Sequence, residues 1–196
     1  MKRPDIVVVG ASAGGVEALL TLVAGLPATL PASIFVVVHI GQEDGHLAQI
    51  LNRNGNMRVV RAMNASPIRP SNIYVAPPNY HLTLENNRMW LTIGPKINRS
   101  RPAIDPLFES ASAAFDGRVI GIVLTGYLDD GTIGLAAIKD RGGITIVQDP
   151  REAFAPYMPR NALRHVKVDY CLPLAQIAPL LVDLVQSRNS GNKNRN

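Results

Sequence analysis

Three short stretches of this chain place a chemically reactive side chain just past the end of a strongly apolar run. The first is Gly10-Ala11-Ser12-Ala13-Gly14-Gly15, which follows the apolar residues 6–9 and precedes a helix-like stretch over 16–24. A Gly-x-Ser-x-Gly turn between a strand and a helix is the setting in which a serine hydroxyl is lifted clear of a sheet for nucleophilic attack. Glycine allows the tight turn, and the N-terminal amides of the helix that follows point at the reaction centre, where they can hold an oxyanion. The same turn fits a second use. Gly10, Ser12 and Gly15 have the spacing of a dinucleotide-binding fingerprint whose middle glycine has become serine.

The end of the second apolar run bears on that choice. A dinucleotide site favours an acidic residue there for the ribose hydroxyl, whereas this chain places His39 directly after Val36-Val37-Val38. Sequential strands are often neighbours, with ends about 5 Å apart, so Ser12 and His39 can meet. Imidazole titrates near neutrality and can take the serine proton and return it to a leaving group. A histidine at a strand end can equally serve only local hydrogen bonds. The third stretch, Thr125-Gly126-Tyr127-Leu128-Asp129-Asp130-Gly131, supplies acid after the run 119–124. Asp130 there fits an N-cap for a helix over 132–139 as well as it fits a catalytic acid. Ligands of open α/β sheets bind outside the carboxyl ends of the strands, so three polar ends facing one crevice outweigh any one of them.

The elements that must position these residues follow from the patterning. Runs 6–9, 34–38, 119–124 and 144–147 are near-continuous and rich in Val and Ile, as strands covered on both faces are. Helical stretches over 16–24, 46–52, 104–114 and 132–139 lie between them, predicting parallel strands with helical crossovers. A strand at 73–76 precedes two shorter runs, 81–85 and 89–93, which read as a β-hairpin inserted beside the parallel sheet, with Asn86-Asn87-Arg88 as its turn. The fold class expected is therefore α/β: doubly wound, mainly parallel, with helices on both faces and a hairpin insertion. A last helix over 174–185 leads into a polar tail, 187–196, expected to be mobile; residues 1–186 form the catalytic unit.

Composition sets bounds. At 196 residues, 46% hydrophobic and 18% charged, the chain suits one globular domain. One cysteine, Cys171, excludes an internal disulfide, and a reducing cytoplasm is the expected home. Met1-Lys2-Arg3 ahead of an apolar stretch has a superficial likeness to a secretion signal, but Glu17 and the glycines at 10, 14 and 15 interrupt it. No run approaches the roughly 18 apolar residues a membrane span needs, so no membrane insertion is expected. The net charge of +5 comes from scattered basic residues with only 5% aromatics, which argues against nucleic acid and for acidic protein partners. No metal-ligand spacing is present, and no cofactor is expected. His46 and His165 read as surface residues, Cys171 as core.

The ordered segments Gly10-Ala11-Ser12-Ala13-Gly14-Gly15, Val38-His39, Ile73-Tyr74-Val75-Ala76-Pro77, Arg101-Pro102-Ala103-Ile104-Asp105, Leu124-Thr125-Gly126, Asp130-Gly131 and Gly142-Gly143-Ile144-Thr145-Ile146-Val147-Gln148-Asp149 together resemble the methylesterase domain of bacterial chemotaxis, CheB. The resemblance runs from Ile6 to about Leu184. It implies Ser12 as nucleophile, His39 as general base and acid, and Asp130 as the acid orienting His39. It also implies the Ala13 and Tyr127 amides as an oxyanion hole. Asp129 is then expected to face solvent or the pocket rim, Arg101 is a candidate for binding an acidic substrate, or a salt bridge, and His81 is structural or at the rim.

The implied reaction is removal of methyl groups from glutamate methyl esters on the cytoplasmic portion of chemoreceptors, with deamidation of receptor glutamine in some members. Two departures stand out. The family often carries a receiver domain ahead of the catalytic one, whereas here the nucleophile strand comes almost at once. Activity is therefore expected to need no phosphoryl donor, with any regulation left to a separate protein. Tyr127-Leu128-Asp129 also replaces the family's usual Met-Gly-Asn. The competing classes are a nonenzymatic phosphate- or nucleotide-binding module and a scaffold that has lost turnover.

Overall fold

The structure, a computed structural model, describes residues 4–39 and 46–186. The tail 187–196 and the Met1-Lys2-Arg3 start lie outside the described residues. In chain order the elements are β1 (Ile6–Ala11), α1 (Gly15–Ala24), β2 (Ser33–Val38), α2 (Leu47–Asn54), β3 (Arg58–Arg61), β4 (Asn72–Val75), β5 (His81–Glu85), β6 (Arg88–Thr92), α3 (Ile104–Phe115), β7 (Val119–Val123), α4 (Thr132–Asp140), β8 (Ile144–Gln148), α5 (Tyr157–His165), β9 (Tyr170–Leu172) and α6 (Leu174–Gln186). Seven strands form one parallel sheet in the order β3-β4-β2-β1-β7-β8-β9. From β1 the chain passes through β2 to the edge strand β3, comes back to set β4 between β3 and β2, and then builds β7, β8 and β9 on the other side of β1. The winding reverses between β1 and β7, where a crevice opens at the carboxyl ends.

Period-two alternation divides the strand side chains between two cores. Val7, Val9 and Ala11 face one side with Leu19 and Leu22 of α1, Leu47 and Leu51 of α2, and Ile177 and Leu181 of α6. Ile6 and Val8 face the other with Phe108 of α3, Ile138 of α4 and Met158 of α5. Every residue of β1, β2 and β7 is buried, so these runs show no polar alternation.

The expected central strands and helices are present, most with ends shifted by one or two residues. β1 runs on through Gly10 and Ala11, because both still pair with Val37 and Val38. The hairpin turns on Asn86 and Asn87, at φ 50° and 58°, a left-handed conformation that asparagine tolerates. Its second strand therefore begins at Arg88, opposite Glu85. Leu82, Leu84 and Met89 of the hairpin join the core beneath α3.

Cys171 corrects its expected core position. It is exposed, on the three-residue edge strand β9, too short and too peripheral to have a buried face. His46 and His165 are exposed, as expected.

Candidate active site

Ser12 stands at the carboxyl end of β1, half-buried, in a turn completed by Gly14 at φ 74°. The turn is clamped to the end of β7: the Ser12 amide donates to Thr125 O at 2.9 Å, and the Thr125 hydroxyl donates to Ala13 O at 2.8 Å. Thr125 is itself held by Gln148 of β8, whose side-chain oxygen accepts the Thr125 amide at 2.9 Å. Gly126 comes so close beneath the serine that a Cβ there would lie 2.8 Å from Ser12 Cβ and collide with Met158 Sδ. Glycine is required by that approach.

His39 leaves the end of β2 with its amide donating to Ala11 O at 3.0 Å, so the parallel register carries it to the residue preceding Ser12. Its Nε2 lies 2.8 Å from Asp130 Oδ2, with side-chain exposures of 14% and 2%. Nδ1 is the ring nitrogen left over. Among the described residues Ser12 Oγ makes no hydrogen bond to His39 or to any other group. Catalytic contacts of that kind are often long until substrate binds.

Asp130 is the most heavily engaged member. Its Oδ2 accepts the Ile104 amide at 2.7 Å, and its Oδ1 accepts the Asp105 amide at 3.1 Å and Asn98 Nδ2 at 2.9 Å. The carboxylate therefore caps the N-terminus of α3, where free amides and the helix dipole favour negative charge. It is not the N-cap of the helix it precedes: Gly131, at φ 91°, is the N-cap of α4. Burial pushes the Asp130 carboxyl up, but the hydrogen bonds from His39, Ile104 and Asn98 outweigh it and hold the group below its ordinary value. Asp129 beside it is exposed.

The Ala13 and Tyr127 amides donate to no protein acceptor among the described residues, and both flank the Ser12 turn. The Tyr127 ring is 54% exposed and stacks on Tyr157 at 5.5 Å. Leu128 sits at φ 65°, a left-handed conformation that the family's glycine would adopt without strain. Arg101 is not brought to a carboxylate: its Nη1 donates to Gly94 O at 2.6 Å, and no salt bridge to it forms among the described residues. His81 is buried, with Nε2 donating to Pro95 O at 2.8 Å and Nδ1 accepting the Ala103 amide at 3.3 Å, a contact that ties the hairpin to the start of α3. Among the described residues no three His, Cys, Asp or Glu side chains gather as a metal-ligating cluster.

Sequence reasoning missed Asn98 and any functional part for Asp105. Asp105 is 4% exposed; its Oδ1 accepts the Gly134 amide at 2.8 Å and its Oδ2 accepts Asn98 Nδ2 at 2.9 Å. Burial and the nearby Asp130 charge push its carboxyl up to about 6, against the hydrogen bonds from Gly134 and Asn98. Asp105 closes the Arg101-Pro102-Ala103-Ile104-Asp105 segment of the family resemblance, and nothing else in the sequence marks it.

Comparison with known proteins gives the family and the fold. The family model described as CheB methylesterase matches residues 7–181. A relative from Leptospira interrogans, provisionally named protein-glutamate methylesterase/protein-glutamine glutaminase, is 42% identical over 93% of this chain and 96% of its own length. A relative from Anaeromyxobacter dehalogenans, named protein-glutamate methylesterase/protein-glutamine glutaminase 2, is 37% identical over 94% of this chain but only 54% of its own length. The crystal structure of the Thermotoga maritima CheB methylesterase catalytic domain superposes with a TM-score of 0.88 at 32% identity, covering 93% of this chain and 99% of that one.

Proposed function

The chain belongs to the CheB methylesterase family, and on that premise we propose that it is a serine hydrolase that removes methyl groups from glutamate methyl esters of chemoreceptors, with Ser12, His39 and Asp130 as its catalytic residues. The carrying observation is the convergence of three strand ends. His39, bonded to Asp130 at 2.8 Å, is hydrogen-bonded through its backbone to the residue before Ser12.

The residues divide the work as follows. Asp130 holds His39 Nε2, so Nδ1 is the nitrogen that takes the proton as Ser12 Oγ attacks the ester carbonyl. In the familiar serine-protease arrangement the two ring nitrogens have the opposite assignment. The oxyanion is stabilised by the Ala13 and Tyr127 amides. As the intermediate collapses, the protonated His39 gives its proton to the departing methoxide, which leaves as methanol. A water deprotonated by His39 then attacks the acyl-enzyme, and the glutamate carboxylate is released with Ser12 restored. A glutamine amide can enter the same cycle and release ammonia. The partner is the methylated cytoplasmic portion of a chemoreceptor, and the enzyme works in the cytoplasm. Among the described residues no helix is long and apolar enough to cross a membrane.

A phosphate turn would leave His39 and Asp130 without a task, and the pairing of these two favours catalysis. The test is methanol release from a methylated chemoreceptor fragment by the purified chain, with Ser12→Ala as control. Wild type should release methanol and label with a fluorophosphonate, and Ser12→Ala should do neither while melting near the wild-type temperature. Undiminished turnover in that variant would remove Ser12 from the mechanism.

A further inference from the structure

Asp130 must do more than lie near His39. A carboxylate rotates freely about its last torsion, which is broad and two-fold, so some contact has to fix its plane if one oxygen is to stay on the imidazole. Here Oδ2 faces His39 and the Ile104 amide, while Oδ1 is held by the Asp105 amide and by Asn98. Asn98 Nδ2 lies 2.9 Å from Asp130 Oδ1 and 2.9 Å from Asp105 Oδ2, spending both hydrogens of one amide group on two buried carboxylates. Its own residue is exposed, at φ 48° in a tight turn closed by reciprocal Ile97 and Ser100 backbone bonds of 3.1 and 2.9 Å. A surface residue in a left-handed turn contributes little to core packing. The feature its side chain serves is the carboxylate pair.

We propose that Asn98 and Asp105 are positioning residues for the Asp130–His39 pair: the Asn98 carboxamide fixes the rotation of the Asp130 carboxylate, and Asp105 fixes the carboxamide. This rests on the catalytic reading above. Asp105 is anchored independently through Gly134 at the start of α4, so the brace spans two helices and a loop. Among the described residues, Asp105 faces Asp130, and Asp130 faces His39.

Three full-length variants test the brace: Asn98→Gly and Asn98→Asp, both compatible with the left-handed backbone, and Asp105→Asn, which still offers an acceptor to the Gly134 amide. The readouts are the second-order rate of Ser12 labelling by a fluorophosphonate, the proton-NMR resonance of the hydrogen between His39 Nε2 and Asp130, and the melting temperature. Both Asn98 variants should slow labelling by roughly ten- to a hundredfold, the scale expected when a catalytic group is misplaced by about 1 Å. Asp105→Asn, which loosens the hold on the Asn98 carboxamide, should slow labelling by a smaller factor and shift the resonance of the proton between His39 Nε2 and Asp130.

Wild-type labelling in Asn98→Gly with an unmoved His39–Asp130 proton resonance in Asp105→Asn would overturn the proposal. So would rate losses that merely follow the melting temperature. If Asp105→Asn does not fold, the Asn98 variants decide the matter. Labelling that persists in Ser12→Ala would count against the catalytic reading instead, and the His39–Asp130 proton resonance would still judge the brace.

Discussion

Asp129 and Asp130 are chemically alike and adjacent, yet one faces solvent and the other sits in four hydrogen bonds. Asp130→Asn turns one acceptor oxygen into an NH2 group that must face either His39 or the N–H groups already pointing at the site. In a serine protease the equivalent loss lowers turnover by about 10⁴-fold, and an effect of that order is expected here, with Asp129→Asn within a few-fold of wild type. Ester hydrolysis by both variants checks the contrast; severe loss in Asp129→Asn alone would assign the acid wrongly. The two buried acids also set opposite pH dependences of stability. Asp130 is lowered in the folded state, so the stability it contributes is present above its ordinary value and lost as pH falls through the folded one. Asp105 is raised from 3.8 to about 6, so its contribution is present below 3.8 and lost as pH rises through about 6. Asp105→Asn should therefore gain on the order of 1–2 kcal/mol relative to wild type on going from pH 4 to pH 7, after discounting for solvent screening. Denaturant melts at the two pH values measure it, and a difference that does not change with pH would mean that Asp105 is not titrating in this range.

At the scale of elements, α3 and α4 cap one another. Asp130, just ahead of α4, takes the first two amides of α3, while Asp105 in α3 takes the Gly134 amide of α4. The helices approach so closely that a Cβ at Gly134 would collide with Phe108 Cβ and come within 3.2 Å of Asp105 O. Gly134→Ala should force the helices apart, costing about 1–3 kcal/mol by overpacking, and lower turnover as well, because the cap and the proposed catalytic acid are the same carboxylate. Calorimetry and the ester assay should move together; a destabilised variant with full activity would uncouple cap from site. Elements like these were only partly legible beforehand. The buried strands announced themselves because both faces are covered, and the Ser12 and His39 positions followed from their ends. β3 reads Arg-Val-Val-Arg, its charged ends being what an edge strand uses against further pairing, and it escaped notice, as did the three-residue β9. α5 opens on Tyr-Met-Pro, and Pro159 in its first turn masked a helix that tolerates proline only there. Asp130 was weighed as a cap for the helix it precedes. Its actual partner is 26 residues earlier in the chain, a contact no local pattern encodes. Asn98 was invisible for the same reason.

For the whole molecule, the place where the sheet reverses its winding decides what can reach the serine. β1 and β7 are neighbours whose helices depart to opposite faces, which leaves the Ser12 turn open at the carboxyl edge. Around that opening the surface is unusually apolar: Phe154 is 77% exposed, Tyr127 54% and Tyr157 52%. Phe154 belongs to the rim because its Cβ would lie 2.7 Å from any Cβ at Gly14, the residue that closes the nucleophile turn. Tyr157 belongs to it through its stack on Tyr127. Large exposed aromatics cost solubility, and on the proposed function their grouping beside Ser12 fits a contact surface for the body of a protein substrate. A small ester has no such body, so the rim should matter only for the protein. Phe154→Ala combined with Tyr157→Ala should raise KM for a methylated receptor fragment by about ten- to thirtyfold, the equivalent of roughly 1.4–2 kcal/mol of lost contact. The same variant should leave kcat/KM for p-nitrophenyl acetate within about threefold of wild type, because the hydrolytic groups stay in place. Equal losses on both substrates would mean that the aromatics support the Ser12 turn itself. No loss on either would place the receptor on another face.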